Sequence, residues 1–270
     1  MFDESKIKLM AKSMRIDCLR MGLAAGGAGA HMGGALSCIE IVAVLYAAIM
    51  KKLPHSLDDD RDRFIMSKGH GVQAQYAALR SLGVIDGVEL DTFKVDGTRL
   101  TAHPSIRKEL GIDFATGSLG QGLSLGVGVA LALKRKRNTA HVYVLLGDGE
   151  CDEGSIWEAA MAAAHFGLDN VTVIVDANDI QYDDDVSSVM SLAPLSDKWV
   201  AFGWSAVDVD GHDVNELYNA LCVSEDGRPR AIIAHTIKGK GVSFMEGDPT
   251  WHAQRVTPKL FELAMAELEN

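Results

Sequence analysis

Gly147-Asp148-Gly149-Glu150 directly follows an apolar, β-rich run, and Asn178-Asp179-Ile180 directly follows another. A carboxylate and an amide at the C-terminal ends of neighbouring parallel strands lie where open α/β sheets bind their ligands. Gly147 and Gly149 allow a tight turn and close approach of the backbone to a phosphate. The next helix aims its N-terminus at the same place, which favours an anion. Oxygens from Asp148 and Asn178, a loop carbonyl and two phosphate oxygens would suit an octahedral Mg2+. Taken alone, the Gly-Asp-Gly triplet reads better as a plain turn and Asn178 as a loop cap. Their joint placement at adjacent strand ends is what favours ligand chemistry. Competing phosphate motifs fail. GxxxxGK[ST] is absent, and every GxG pair has a residue other than glycine at the sixth position: Met32, Ala74, Leu125, Leu131, Asp152 or Phe244.

The elements that must position these residues follow from periodicity. Ile7, Met10, Ala11, Met14, Cys18 and Met21 recur at helical steps, predicting a helix over 4–25 that the glycine-rich stretch 26–34 ends. A second helix is expected over 37–51, and Phe64-Ile65-Met66 is a strand candidate leading into Ser67-Lys68-Gly69-His70-Gly71 and a helix over 72–82. The segment 85–114 shows no period. A loop and then a buried helix are expected over 117–137. Strands are expected at 141–146 and 171–176, with a helix at 153–166 between them, which makes a βαβ unit with parallel strands. The alternation continues at 204–209, 214–223 and 231–235, and a last helix is expected at 258–268. The expectation is α/β: one doubly wound, mostly parallel sheet in a single domain over 1–270, with no linker or repeat.

Composition excludes several classes. The chain has 270 residues, 47% hydrophobic and 23% charged, which rules out global disorder. A net charge of −11 argues against nonspecific binding to nucleic acid or an anionic membrane. The longest clean apolar run, 41–50, is ended by Lys51 and Lys52 and is too short to span a bilayer, which takes about 20 residues. Cys18, Cys38, Cys151 and Cys222 form no CxxC pair, so they read as scattered buried thiols, and the acidic start Met1-Phe2-Asp3-Glu4 lacks a signal-peptide pattern. The expected compartment is the cytoplasm.

Asp148 followed thirty residues on by Asn178 resembles the thiamine diphosphate motif, and the surrounding segments narrow the resemblance to transketolase. Gly-Asp-Gly-x-x-x-Glu-Gly with Trp157-Glu158-Ala159-Ala160, the Ser67–Gly71 loop, Thr116-Gly117-Ser118-Leu119-Gly120-Gln121-Gly122, the glycine-flanked His31, His103-Pro104, Lys238-Gly239-Lys240-Gly241-Val242 and Trp251-His252 all have counterparts there, in order. The resemblance spans nearly the whole chain but only the first third to half of a typical transketolase. It therefore implies the N-terminal subunit of a split transketolase.

The resemblance implies roles residue by residue. Asp148 and Asn178 side chains and the Ile180 carbonyl would hold the divalent metal, Mg2+ or else Ca2+ or Mn2+. Gly149 would donate its N–H to the diphosphate, with Glu150 beside it. His70 and His252 would contact the diphosphate and its surroundings, and Lys238 is a weaker candidate for a phosphate contact. Gly117, Ser118 and Leu119 would lie near the aminopyrimidine. His31 and His103, with His70, would be catalytic, facing the reacting carbon and the sugar hydroxyls, since histidine titrates near operating pH. His141 matches no motif and reads as structural. Glu153 and Glu158 read as helix N-terminal charges or interface residues. In the family, the glutamate that protonates the cofactor pyrimidine and the arginines that read sugar phosphates lie on later domains. The implied partner is thus a C-terminal subunit carrying the pyrimidine domain, in an α2β2 heterotetramer, and the single chain is expected to be inactive. The implied reaction transfers a two-carbon ketol unit from a ketose phosphate to an aldose phosphate. Two alternatives stand beside it: the α subunit of a 2-oxo acid dehydrogenase or another thiamine diphosphate lyase, and a structural half that has lost catalysis.

Overall fold

The computed structural model describes residues 2–52, 56, 58–182, 184–223 and 227–269. Helix α1 (Glu4–Ala24) starts at Asp3, whose carboxylate accepts from Lys6 N at 3.2 Å, and buries Ile7, Ala11, Met14, Cys18 and Met21 on one face. It ends at the glycines, as expected.

The next stretch departs from expectation. In place of one helix over 37–51 there are α2 (Met32–Leu36), α3 (Ile39–Val44) and a π-helical turn at Leu45–Ile49. Gly33 and Gly34 act as packing residues inside α2. A Cβ on Gly34 would stand 2.9 Å from the His70 ring, and one on Gly33 would stand 2.9 Å from the Lys238 side chain. The break falls at Ser37 and Cys38, where the Ser37 hydroxyl turns inward to donate to Asp176 at 2.6 Å.

Strand β1 (Arg63–Met66) leads through a 3-10 turn at Gly69–Gly71 into α4 (Val72–Ser81). The segment 85–114 is irregular, with 3-10 turns at Glu89–Thr92 and Lys108–Leu110. Helix α5 (Gln121–Arg135), β2 (Val142–Gly147), α6 (Gly154–His165) and β3 (Val171–Ala177) form the core of the sheet with its crossovers. A two-residue hairpin, β4 (Ile180–Gln181) and β5 (Asp184–Asp185), then α7 (Val186–Val189) and α8 (Leu195–Ala201), occupy a stretch for which periodicity predicts nothing. Strand β6 (Ser205–Asp210), α9 (Val214–Cys222), β7 (Arg230–His235) and α10 (Pro258–Glu269) complete the chain.

The five long strands are all parallel, in the order β1-β2-β3-β7-β6. Alternate residues of β2 face opposite layers. Tyr143 and Leu145 join one core, with α1, α3 and α4, while Val142, Val144 and Leu146 join the other, with α5 and α6. Two-sided burial explains why these strands read as continuous apolar runs. Cys18, Cys38 and Cys151 are buried as expected, but Cys222, at the end of α9, is exposed.

Candidate functional site

Parallel pairing places Gly147 of β2 opposite Asp176 of β3, so Asp148 and Asn178 emerge side by side at the strand ends. The Asp148 carboxylate accepts Gly149 N at 2.8 Å and Asp179 N at 2.7 Å. Gly149 N–H, expected to face a diphosphate, is thus directed at Asp148. Burial, followed by the nearby charge of Asp176, pushes the Asp148 carboxyl up to about 6. Asn178 donates its Nδ2 to Asp176 at 3.1 Å, which fixes the amide orientation and turns Oδ1 toward Ile180 N, 3.3 Å away. The Ile180 carbonyl accepts the Lys238 ammonium at 3.0 Å, so this oxygen already faces a cation.

Asp176 is the hub behind these groups. It is fully buried and accepts from Ser37, Thr236, Asn178 and the buried ammonium of Lys68. Burial opposes its ionised form, but the Lys68 charge and these hydrogen bonds hold its carboxyl below the usual range. Lys68 and Asp176 lay inside the segments read from sequence but carried no assigned role there. The only sequence signal for them was a charged residue at the end of each apolar strand.

Glu150 lines the same cleft and also braces the segments around it. Its carboxylate accepts from Ser67 Oγ, Gly120 N at 2.9 Å and Gly147 N at 3.1 Å, tying β1, the 116–120 loop and the end of β2 together. Gln181, which sequence reading passed over, reaches Asp152 at 2.6 Å and the Gly149 carbonyl at 3.3 Å, and so pins the β4 hairpin over the Gly-Asp-Gly turn.

Four histidines converge from distant parts of the chain. The ring centroid of His31 lies 5.7 Å from His70, 5.5 Å from His103 and 5.5 Å from His252, and His70 lies 5.3 Å from His252. Tyr182, also unforeseen, stands 4.8 Å from His252. Burial is the main cause of lowered pKa values throughout the cluster, followed by neighbouring positive charge. His31 and His252 fall to about 4, His70 falls well below its usual value, and His103 is lowered. Neutral imidazoles at working pH can each accept and donate one hydrogen bond. His141 is structural, as expected, with Nε2 2.8 Å from Thr172 Oγ1.

The sign of the resulting pH dependence follows from linkage. In the unfolded chain, His31 and His252 take up protons as pH falls below about 6.5, whereas in the folded chain they do so only near 4. The ligand-free chain should therefore lose stability as pH falls from about 6.5 toward 4. Thermal unfolding at a series of pH values checks this. A His31→Gln/His252→Gln variant should lose less of its midpoint across that window than the wild type.

These groups line one cleft of about 620 Å3. It brings together His31, His70, His103, Gly117, Leu119, Asp148, Gly149, Glu150, Asn178, Ile180, Lys238 and His252, whereas Ser118 lies outside the lining. The size suits a cofactor-sized ligand. Among the described residues, no group of three or more His, Cys, Asp or Glu could hold a metal ion. The donor set expected from sequence is of another kind: one carboxylate, one amide oxygen and one main-chain carbonyl. Hard cations take such all-oxygen sets. A carboxylate whose pKa is raised by burial and by a neighbouring carboxylate is one that a divalent cation would relieve. The residues fit a metal-held diphosphate.

Fold and cleft together define a doubly wound α/β domain with a polar, histidine-lined cleft at the C-terminal ends of β2 and β3. Residues 8–258 match the family described as transketolase, thiamine diphosphate binding domain, and the chain belongs to that family. It is 44% identical over 242 residues to a 6-deoxy-6-sulfo-D-fructose transketolase subunit of Clostridium sp. (strain MSTE9), covering 88% of each chain. It is 42% identical to an apulose-4-phosphate transketolase subunit of Phocaeicola vulgatus, covering 88% of this chain and 85% of that one. Among solved structures it superposes on transketolase from Leishmania mexicana with a TM-score of 0.88 at 31% identity, and on that from Campylobacter jejuni at 0.89 and 28%. It is covered over 98% and 99% of its own length in those two comparisons. The chain spans 41% and 43% of those two proteins, so it is similar in length to the relatives named as subunits and much shorter than the solved enzymes.

Proposed function

We propose that this chain is the thiamine diphosphate-binding subunit of a two-chain transketolase, working with a separate subunit that carries the pyrimidine-binding domain. The observation that carries the reading is the convergence, in one cleft, of the Asp148, Asn178 and Ile180 oxygens with four neutral histidines. Asp148, Asn178 and the Ile180 carbonyl would hold a divalent cation, Mg2+ by default, and Lys238 and His252 lie beside it to meet the diphosphate. Gly117 and Leu119 would flank the aminopyrimidine. When bound, thiamine diphosphate supplies the carbon nucleophile and the electron sink for cleaving a bond next to a ketone. The chain's own part is positional and acid–base. His31 and His103 are placed to exchange protons with sugar hydroxyls, and their neutral state lets either ring nitrogen pair act as donor and acceptor. His70, buried against Gly34, holds its ring at one edge of the cluster.

The substrates we propose are a ketose phosphate donor and an aldose phosphate acceptor. One relative is named for a sulfonated ketose and the other for a phosphorylated one, which supports a donor with an anionic end. A net charge of −11 leaves most of the anion recognition to the partner. We place the complex in the cytoplasm as an α2β2 heterotetramer. No helix among the described residues is long and apolar enough to cross a membrane.

Co-purification from the native host tests the reading. A second chain should accompany this one, and ketol transfer dependent on thiamine diphosphate should appear only when both are present. Turnover by the rigorously purified single chain would sink the requirement for a partner. Failure of the complex to bind the cofactor would leave only a structural role.

A further inference from the structure

Lys238 reaches the cleft from a loop after β7 whose backbone is gripped on both sides by one buried charged cluster outside the cleft. Glu40, on α3, is the centre of that cluster. Its Oε2 lies 3.0 Å from His212 Nδ1, and its Oε1 pairs with the Arg15 guanidinium. Each of the three side chains is 10–15% exposed. His212 Nε2 accepts the N–H of Ile237 at 2.9 Å, and Arg15 Nε donates to the carbonyl of Lys240 at 3.0 Å. The two grips fall immediately before Lys238 and two residues after it. Between them, Gly239 N donates to the Gly33 carbonyl at 3.0 Å.

Hydrogen-bond logic fixes the His212 tautomer. A main-chain N–H can only donate, so Nε2 must be unprotonated and the proton must sit on Nδ1, facing Glu40. A carboxylate at Glu40 is the acceptor that holds this tautomer. Arg15 is similarly confined. It packs against Gly241, whose φ is +94° and where a Cβ would stand 2.6 Å from Arg15 Nε. Burial alone would raise the Glu40 carboxyl, but the His212 hydrogen bond and the Arg15 charge keep it below the usual range.

We propose that Glu40 is a positioning residue for the cofactor site: through His212 and Arg15 it clamps the 237–240 loop and so holds the Lys238 ammonium against the Ile180 carbonyl and His252. The proposal rests on the reading of the cleft as a thiamine diphosphate site. None of Glu40, His212 and Arg15 lines the cleft, so their effect on ligand binding must pass through the loop.

Glu40→Gln is the discriminating variant. In Glu40→Gln the Arg15 guanidinium, which can only donate, keeps the amide oxygen, so the NH2 faces His212 Nδ1 and favours the other tautomer, which sets an Nε2–H against the Ile237 N–H and opens that grip. Two readouts are made on the assembled complex: amide hydrogen exchange over 237–240, and titration with thiamine diphosphate plus Mg2+ well below the unfolding midpoint. Exchange in that loop should speed up by about 10-fold or more. The cofactor dissociation constant should rise roughly 10-fold, in the range of lost supporting contacts around a metal site. In a Lys238→Met background the same substitution should cost no further affinity, because Lys238 is the route of the effect. Unchanged exchange over 237–240 overturns the clamp. Faster exchange with unaltered affinity, or an equal loss of affinity in the Lys238→Met background, overturns the positioning role and leaves Glu40 merely structural. A wild-type complex that fails to bind thiamine diphosphate at all is a different result, seen before any variant is made, and it overturns the cofactor reading and the Glu40 role built on it.

Discussion

Asp148→Asn is expected to remove metal-dependent thiamine diphosphate binding while leaving the fold nearly untouched. Two opposing effects act on stability. The amide retains an acceptor for one of the two main-chain donors, Gly149 N or Asp179 N, but its NH2 faces the other, at a cost of about 1–3 kcal/mol for an unmatched buried pair. Against that, the carboxylate it replaces is already penalised by burial, which pushes its pKa up to about 6. The net change in unfolding free energy should therefore be small. Binding has no such compensation. A hard divalent cation is held by anionic and carbonyl oxygens, and Asp148 is the one carboxylate among the three donors assigned to it. Loss of that charge is expected to lower kcat/KM of the assembled complex by about 10³-fold, equivalent to about 4 kcal/mol. Excess Mg2+ should recover part of the loss. Calorimetric titration and melting curves on the same preparations separate the two quantities. Wild-type cofactor affinity in this variant would show that the metal is held elsewhere.

Much of this site is visible in the sequence because buried parallel strands write themselves as apolar runs. The runs ending at Gly147 and Asp176 announce two neighbouring strand ends, and those place Asp148 beside Asn178 without further information. The histidines are a different case. His31, His70, His103 and His252 sit on four separate loops, and no period in the chain links them. Only the resemblance to transketolase joins them before the fold does. Glycine was misleading at α2, where Gly33 and Gly34 signal a break but serve as flat surfaces against Lys238 and His70. Glu150 has a part that its sequence position did not show. Its place next to Asp148 suggests a ligand contact, and it does line the cleft, but its carboxylate also braces Ser67, Gly120 and Gly147. The stretch 180–201 stayed illegible because two-residue strands and helices of one or two turns are too short to establish any period. Gln181 and Tyr182 were missed for that reason.

Lys68→Met should remove a large part of the margin that keeps this domain stable, and it should do so through the site. Lys68 and Asp176 are 1% and 0% exposed. Removing the ammonium leaves Asp176 as a buried carboxylate with neutral donors only, and breaking such a pair from one side costs about 3–5 kcal/mol. Domains have only about 5–15 kcal/mol in total, so the unfolding midpoint should drop sharply. A second change tests what the site needs from this pair. In Lys68→Met/Asp176→Asn the uncompensated charge is gone, so much of the lost stability should return. Cofactor affinity should return with it. Asn178 and Ser37 both donate to Asp176 Oδ2, whereas the Thr236 hydroxyl alone meets Oδ1. The asparagine can place its carbonyl oxygen at the Oδ2 position and its NH2 against the Thr236 hydroxyl, which can accept, so Asn178 keeps its orientation with Oδ1 toward Ile180 N. Urea unfolding and cofactor titration of the two variants should therefore rise together from the single to the double variant. If stability recovers while affinity stays low, the charge of Asp176 or Lys68 serves the site directly, and orienting Asn178 is not the role of Asp176.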